Sequence, residues 1–326
     1  MRYLIGRVLQ AVVVLWAVVT LCFLMFRLMP GDPTLNYIEP TMNEVQRQEM
    51  LRAFGLDRPL HEQYVIYLGN LLQGQLGDSF LQGRPVLELL LESLPNTVIL
   101  TLTALVAAYA FGAVAGAFLA WKRGSALEGI AIPLVLATRA APEFWLGMLM
   151  LAGFAFSLGW FPSGGAAEAG AEFGSEAARY LSLDFLHHLA LPAITLAVYL
   201  QGLPLLLMRS TMLEVMQDEF VTMARMKGLS EWTIVMRHAA RNALLPVATA
   251  FALGIGGSVG GNVVIETVFS WPGLGRLLVT AVQGADYPLA QGAFLLIAAV
   301  LVTMNLVADL LYSVLDPRVS SHVRRA

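Results

Sequence analysis

The 326-residue chain is 57% hydrophobic and only 13% charged, where ordinary soluble domains carry about 25% charge. A water-soluble core could not hide that much apolar side chain, so the length divides better into membrane crossings than into soluble domains. The net charge of −3 argues nothing about nucleic acid, but the sequence has no basic domain, zinc spacing or RNA-binding signature, which sets that class aside.

Arg2 and Arg7 open the chain ahead of an apolar block at 8–29. That block is too long for a cleaved signal, and Leu28-Met29-Pro30-Gly31 is not a small-residue cleavage site. It reads as an uncleaved first span, with the single cysteine, Cys22, as a small buried hydrophobe. Residues 30–96 form a long polar insertion with helical patterning at 43–54 and 61–72. Further apolar stretches at 97–121, 130–158, 189–212, 243–269 and 290–315 reach the length of about 20 residues that a crossing needs. Each is expected to be a helix, because a backbone facing lipid must satisfy its own hydrogen bonds. Residues 163–175, rich in Gly, Ala and Glu, read as a mobile loop with too little apolar surface to pack. Residues 213–242 read as two short helices hinged at Gly228-Leu229-Ser230. The expected fold is an all-α membrane protein, one six-span helical bundle over 1–326 with an extracytoplasmic insertion after the first span.

Orientation follows from the basic residues. With the N-terminus inside, inner segments hold eleven Lys and Arg, among them Lys122, Arg123, Arg225, Lys227, Arg237 and Arg241, against six in outer segments. Four of those six lie in the long insertion, where the positive-inside rule carries little weight. Both termini are therefore expected in the cytoplasm.

The segment 213–242 carries the most specific chemistry. Phe220, Met223, Ala224 and Met226 set apolar and small side chains along a short helix flanked by Arg225 and Lys227. Gly228 can end that helix in the left-handed conformation, and Ser230 can cap the next. The expected product is a knob able to fit a groove on a partner, with its small residues allowing close approach of the two backbones.

Here the sequence resembles the EAA loop of ABC-importer permeases, in the dipeptide, oligopeptide and nickel branch. The resemblance rests on Ala224, Arg225, Lys227, Gly228 and Leu229, then Arg237, His238, Ala239, Arg241, Asn242, Ala243 and Pro246. Thr222 and Met226 depart from the usual arginine and alanine. It continues along the chain in Pro30-Gly31-Asp32-Pro33, Phe54-Gly55-Leu56-Asp57, Gly74-Gln75-Leu76-Gly77-Asp78-Ser79, Pro142-Glu143-Phe144-Trp145, Trp271-Pro272-Gly273-Leu274-Gly275 and Asp316-Pro317-Arg318.

The resemblance implies a type I importer permease working with a second permease subunit, two ATP-binding subunits and an extracytoplasmic substrate-binding protein. No Gly-x-x-x-x-Gly-Lys-Ser/Thr loop occurs, so ATP and Mg are expected on the partners and no cofactor on this chain. Glu219, Phe220, Ala224, Arg225, Lys227, Gly228, Arg237, His238 and Arg241 are the candidate coupling residues. Di- and oligopeptides, glutathione and nickel chelates all suit the branch.

Ionisable and polar groups within spans usually face a bundle interior or a cavity. Arg139, Glu143, Ser258, Asn262, Glu266 and Asp309 are thus candidates for the translocation pathway or for polar contacts between helices. Arg139 and Glu143, four apart, could pair on one helix; Arg139 could equally cap its helix, with Glu266 and Asp309 in polar interfaces. Residues 256–260 match Gly-x-Ser-x-Gly, but a nucleophile elbow needs a strand, a turn and a helix in a soluble sheet. Glycines within an apolar span serve helix packing instead. His187-His188 lacks a third ligand at useful spacing, so no metal site is expected. A self-sufficient secondary transporter would need neither ATPase nor knob. An intramembrane enzyme would need a catalytic pair that the sequence does not offer.

Overall fold

A computed structural model describes residues 2–28, 58–258 and 262–315, with side chains at 6–28, 58–255 and 262–307. The expected helix at 43–54, the Pro30-Gly31-Asp32-Pro33 and Phe54-Gly55-Leu56-Asp57 motifs and the closing Asp316-Pro317-Arg318 lie outside the described residues. The regular elements described are all helical; the one strand-like pairing is a bridge between Asp78 and Pro85.

Helix α1 spans Arg2–Leu28 and α2 spans Leu60–Leu72. Cys22 is buried, and Phe23 beside it packs on Tyr64 and Tyr67 of α2. Helix α3, Val86–Trp121, is the spine of the bundle, and its 36 residues make a rod of about 54 Å, longer than the hydrocarbon core of about 30 Å. It begins eleven residues before the predicted span. Pro85 supplies a preset φ ahead of the first turn, and Val86, Leu89 and Leu90 bury against Leu274, Leu289 and Ala293. The stretch 86–96, expected in the outer insertion, is continuous in one helix with 97–121.

The predicted third span, 130–158, is not one straight helix. Helix α4, Ala126–Ala140, and helix α5, Glu143–Met150, continuing in wider turns through Leu151–Ser157, meet at 108°. Pro142 disfavours a helical conformation for the residue before it, and Ala141 is extended at φ −68°, ψ 143°.

A short helix α6, Glu176–Tyr180, leads to α7, Leu183–Leu200, and α8, Gly202–Val215. The predicted span 189–212 therefore divides at Gln201, where Pro204 has no N–H to offer the carbonyl of Leu200. Helix α9, Glu219–Met226, and α10, Glu231–Thr233 with wide turns through Ile234–Ala239, precede α11, Ala240–Ser258. Helices α12, Val263–Val268, α13, Leu274–Gln283, and α14, Tyr287–Leu315, complete the chain. Among the described residues four helices can cross a membrane by length and composition, and the bent pair α4–α5 gives a fifth if counted as one crossing. The predicted fifth span, 243–269, is divided between α11 and α12.

Helices α3 and α8 approach each other closely. A Cβ at Gly112 would lie 2.8 Å from Pro204 Cγ, and one at Gly116 would meet the carbonyl oxygen of Leu205 and, at 2.9 Å, Met208 Cβ. The Gly-x-x-x-Gly spacing lets the two backbones touch. Gly116→Ala is expected to cost about 1–3 kcal/mol, as overpacking does. It should appear as a lowered thermal midpoint in detergent, while Gly129→Ala, with nothing within 4 Å of its Cβ, should leave the midpoint unchanged or raised.

Candidate functional site

The segment after α8 folds as two short helices on a small core of their own. Val221, Ala224 and Ile234 are buried together, with Met216 and Phe220 packed against them. The turn between the helices is a Schellman motif: Gly228 N–H donates to Arg225 O at 2.9 Å and Leu229 N–H to Ala224 O at 3.3 Å. The motif requires a left-handed residue after the helix, and Gly228 has φ +77°. Ser230 Oγ then accepts from Thr233 N at 3.3 Å as the next helix cap.

Across the turn Arg225 Nε donates to Glu231 Oε1 at 2.8 Å. That bond holds the Glu231 carboxyl below its ordinary range and pushes Arg225 up. A depressed carboxylate pKa means that the pair contributes fully above the ordinary Glu value of about 4.3 and is lost as pH falls through the lowered value. At neutral pH the pair is intact, and because both groups are exposed its contribution to stability is small.

The knob presents Met223, Met226 and Leu229, exposed by 56%, 83% and 39%, beside exposed Arg225, Lys227 and Gly228. Ala224, expected among the coupling residues, faces inward. At 8% exposure it belongs to the knob's inner core, because positions 221 and 224, three apart on α9, both turn toward Ile234. Glu219 is exposed and Phe220 half-buried. Arg237 and Arg241 are exposed and His238 half-buried along the wide turns that enter α11, while Val235 and Ala239 of the same segment bury against Ala117, Ala120 and Met212.

The knob is joined to the bundle by aromatic contact: Trp232 packs edge-on to Trp121, the last residue of α3, with ring centroids 5.5 Å apart. A part-buried ion pair lies at the same end. Glu128 Oε1 accepts from Arg209 Nε at 2.7 Å and also from the Arg209 terminal nitrogen, and Glu128 Oε2 accepts from Gly124 N at 2.6 Å. The turn between α3 and α4 is thereby tied to α8, the helix that runs into the knob. Sequence reasoning missed this pair, although Ser125-x-x-Glu128 has the spacing of a capping motif.

The intramembrane candidates fall in different places. Glu266 is fully buried and accepts from Thr97 Oγ1 at 2.7 Å, Gly275 N at 2.7 Å and Arg276 N at 3.1 Å. Its carboxylate thus caps the start of α13, where free amides and the helix dipole favour negative charge. Leu274 N donates to Thr97 Oγ1, Trp271 Nε1 to Asn96 O, and Asn96 Nδ2 to Pro272 O. The Trp271-Pro272-Gly273 turn is locked by these bonds onto α3. Asn262 Nδ2 reaches Thr101 Oγ1 at 3.5 Å.

Arg139 and Glu143 do not share a helix, because the bend at Pro142 separates them, and no ion pair between them occurs among the described residues. Arg139 is exposed, its Cδ against Gly202, while Glu143 Oε1 is buried without a hydrogen-bond partner among the described residues. Ser258 ends α11 and Asp309 lies in α14, but both side chains are outside the described residues. The segment entering Ser258 is a helix, not the strand of a nucleophile elbow. His188 Nδ1 stands 3.0 Å from Asp184 Oδ1, and His187 Nε2 2.9 Å from Trp160 O.

A second buried carboxylate escaped sequence reasoning. Asp286 accepts from Ser79 Oγ at 2.5 Å, Leu81 N at 3.1 Å and Leu289 N at 3.2 Å. It caps α14 and fastens the 79–82 loop to it. The signal was an Asp directly ahead of Tyr287-Pro288 and a long apolar run.

The chain was compared with known proteins. Residues 108–321 match the family model described as "Binding-protein-dependent transport system inner membrane component", and residues 1–101 match the model for the N-terminal part of such membrane components. The oligopeptide transport system permease protein AppB of Bacillus subtilis (strain 168) is 36% identical over 319 residues, covering 97% of this chain and 98% of the relative. The di/tripeptide transport system permease protein DppB of Pseudomonas aeruginosa (strain UCBPP-PA14) is 38% identical, over 93% and 94%. The glutathione transport system permease protein GsiC of Escherichia coli (strain K12) is 34% identical, over 98% and 99%. With both parts of the family pattern matched in order and a bundle of apolar helices to carry them, the chain belongs to the inner-membrane components of binding-protein-dependent transport systems.

Proposed function

We propose that the chain is the pore-forming permease subunit of an ATP-driven importer moving di- or oligopeptides, or similar small solutes, across the inner membrane. The observation that carries this reading is similarity to two peptide permeases over nearly the full length of both chains. Glutathione is the second reading, favoured by the comparable match to GsiC.

In this reading six crossings, α1, α3, the bent pair α4–α5, α7–α8, α11–α12 and α14, form one domain with both termini in the cytoplasm. Residues 30–96 extend outside and 213–242 inside. Two ATP-binding subunits hold this knob and that of a second permease, and a binding protein delivers solute to the outer mouth. Closure of the ATP-binding subunits displaces the knob. Because Trp232 rests on Trp121 and the Glu128–Arg209 pair joins α4 to α8, the displacement reaches α3, α4 and α8 together.

Affinity purification of the tagged chain, followed by mass spectrometry of attached chains and ligand, tests the reading. A second permease, two ATP-binding subunits and a peptide-loaded binding protein are expected. Recovery of this chain alone, with uptake driven by an ion gradient, would overturn it.

A further inference from the structure

An apolar crevice of about 490 Å³ opens on the side of the bundle between α3, α4 and the α7–α8 junction. Phe111, Ala115 and Phe118 form one wall, and Leu127, Ala131 and Leu134 the other, while Gln201 and Thr138 are the polar residues of the lining. Thr138 Oγ1 already donates to Val135 O. From Leu127 to Thr138 the α4 wall rises about 16 Å, close to half of a hydrocarbon core of about 30 Å.

The turn that joins the two walls closes one end of this crevice and carries Lys122 and Arg123. Both are exposed, and neither is in an ion pair among the described residues. Lys122 Nζ stands 4.3 Å over the Trp121 ring, and Arg209 beyond it is already neutralised by Glu128. Lys122 and Arg123 therefore stand on the turn at one end of an apolar slot one leaflet deep, Arg123 sharing the field of the Glu128 carboxylate with Arg209. We propose that the crevice is a binding site for one anionic phospholipid, with an acyl chain between α3 and α4 and the phosphate against Lys122 and Arg123. The site requires only that the chain lie in a bilayer, and it does not depend on the transported solute.

The test uses the complete purified importer, delipidated in detergent and titrated with phosphatidylglycerol or phosphatidylcholine under native mass spectrometry. One retained phosphatidylglycerol per copy of this chain is expected, with weaker phosphatidylcholine retention. Lys122→Ala/Arg123→Ala should weaken phosphatidylglycerol retention about thirtyfold, as the loss of two basic side chains near a lipid surface implies. It should leave phosphatidylcholine unchanged. Ala131→Trp, which fills the slot and keeps both charges, should weaken both lipids. Equal retention of the two lipids, insensitive to either change, would mean a non-specific lipid annulus and overturn the proposal. So would efficient cross-linking of Ala131→Cys to a partner subunit, which would mean that protein fills the crevice.

Discussion

Gly228→Val is expected to reduce uptake at least about tenfold while leaving the amount of protein in the membrane unchanged. Among the described residues none beyond its chain neighbours lies within 4 Å of the position its Cβ would take, so the effect does not come from a clash at Cβ. It comes from the backbone. At φ +77° an L-residue pays about 1–2 kcal/mol, and a β-branched one belongs at the upper end of that range. A penalty of this size lowers the ratio of formed to unformed turn by a factor of about 5–30. The Leu229–Ala224 and Gly228–Arg225 hydrogen bonds and the Arg225–Glu231 pair all depend on that turn. Met226 and Leu229 flank it and would no longer be presented together. Gly228→Asn, which tolerates the left-handed region, should keep most of the activity. Initial rates of solute uptake and solute-stimulated ATPase activity, both measured in proteoliposomes, give the readout. Unchanged rates in the valine variant would show that the knob's shape has no part in coupling.

Glu266→Ala should be the most destabilising single change in the polar interior. Removing the carboxylate leaves the Thr97 hydroxyl and the amides of Gly275 and Arg276 without their acceptor in a fully buried site. Each orphaned donor costs about 1–3 kcal/mol, so a loss on the order of 3 kcal/mol or more is expected. Glu266→Gln keeps the shape and one acceptor oxygen but turns an NH2 toward donors, and should fall between. The surviving folded fraction after heating, followed by size-exclusion chromatography in detergent, measures the order. If the alanine variant survives heating like the parent, the carboxylate is not what holds the Trp271-Pro272-Gly273 turn to α3.

These two residues illustrate what the amino-acid order makes legible. The knob was readable because its determinants are local: a glycine at a helix end, a serine cap and apolar residues at helical spacing all act within a dozen residues. The apolar blocks announced α1, α3, α7 and α14 for the same reason, since bilayer thickness imposes a length that hydropathy alone reports.

What stayed hidden depends on partners distant in sequence. Glu266 could be flagged as an ionisable group near a span, but its donors come from residue 97 and from the first turn of a helix beyond a tight turn. Asp286 meets Ser79 across 207 residues, and Arg209 meets Glu128 across 81. Ala224 was placed on the docking face because small residues suit close approach. Only the packing of Ile234 against it turned that face inward. The bend at Pro142 was in principle visible, because a residue before proline avoids the helical region. Unbroken hydropathy across 130–158 outweighed that signal, and with it fell the expected pairing of Arg139 with Glu143.

The account turns on the knob of α9 and α10 facing the cytoplasm and being gripped there by an ATP-binding partner. Met226, 83% exposed at the end of α9, allows a direct check in intact cells, since the one native thiol, Cys22, is buried. With Met226→Cys, a membrane-impermeant maleimide should fail to label whole cells, label inside-out vesicles, and be blocked when the ATP-binding subunits are present. Labelling of whole cells at this position would contradict the account.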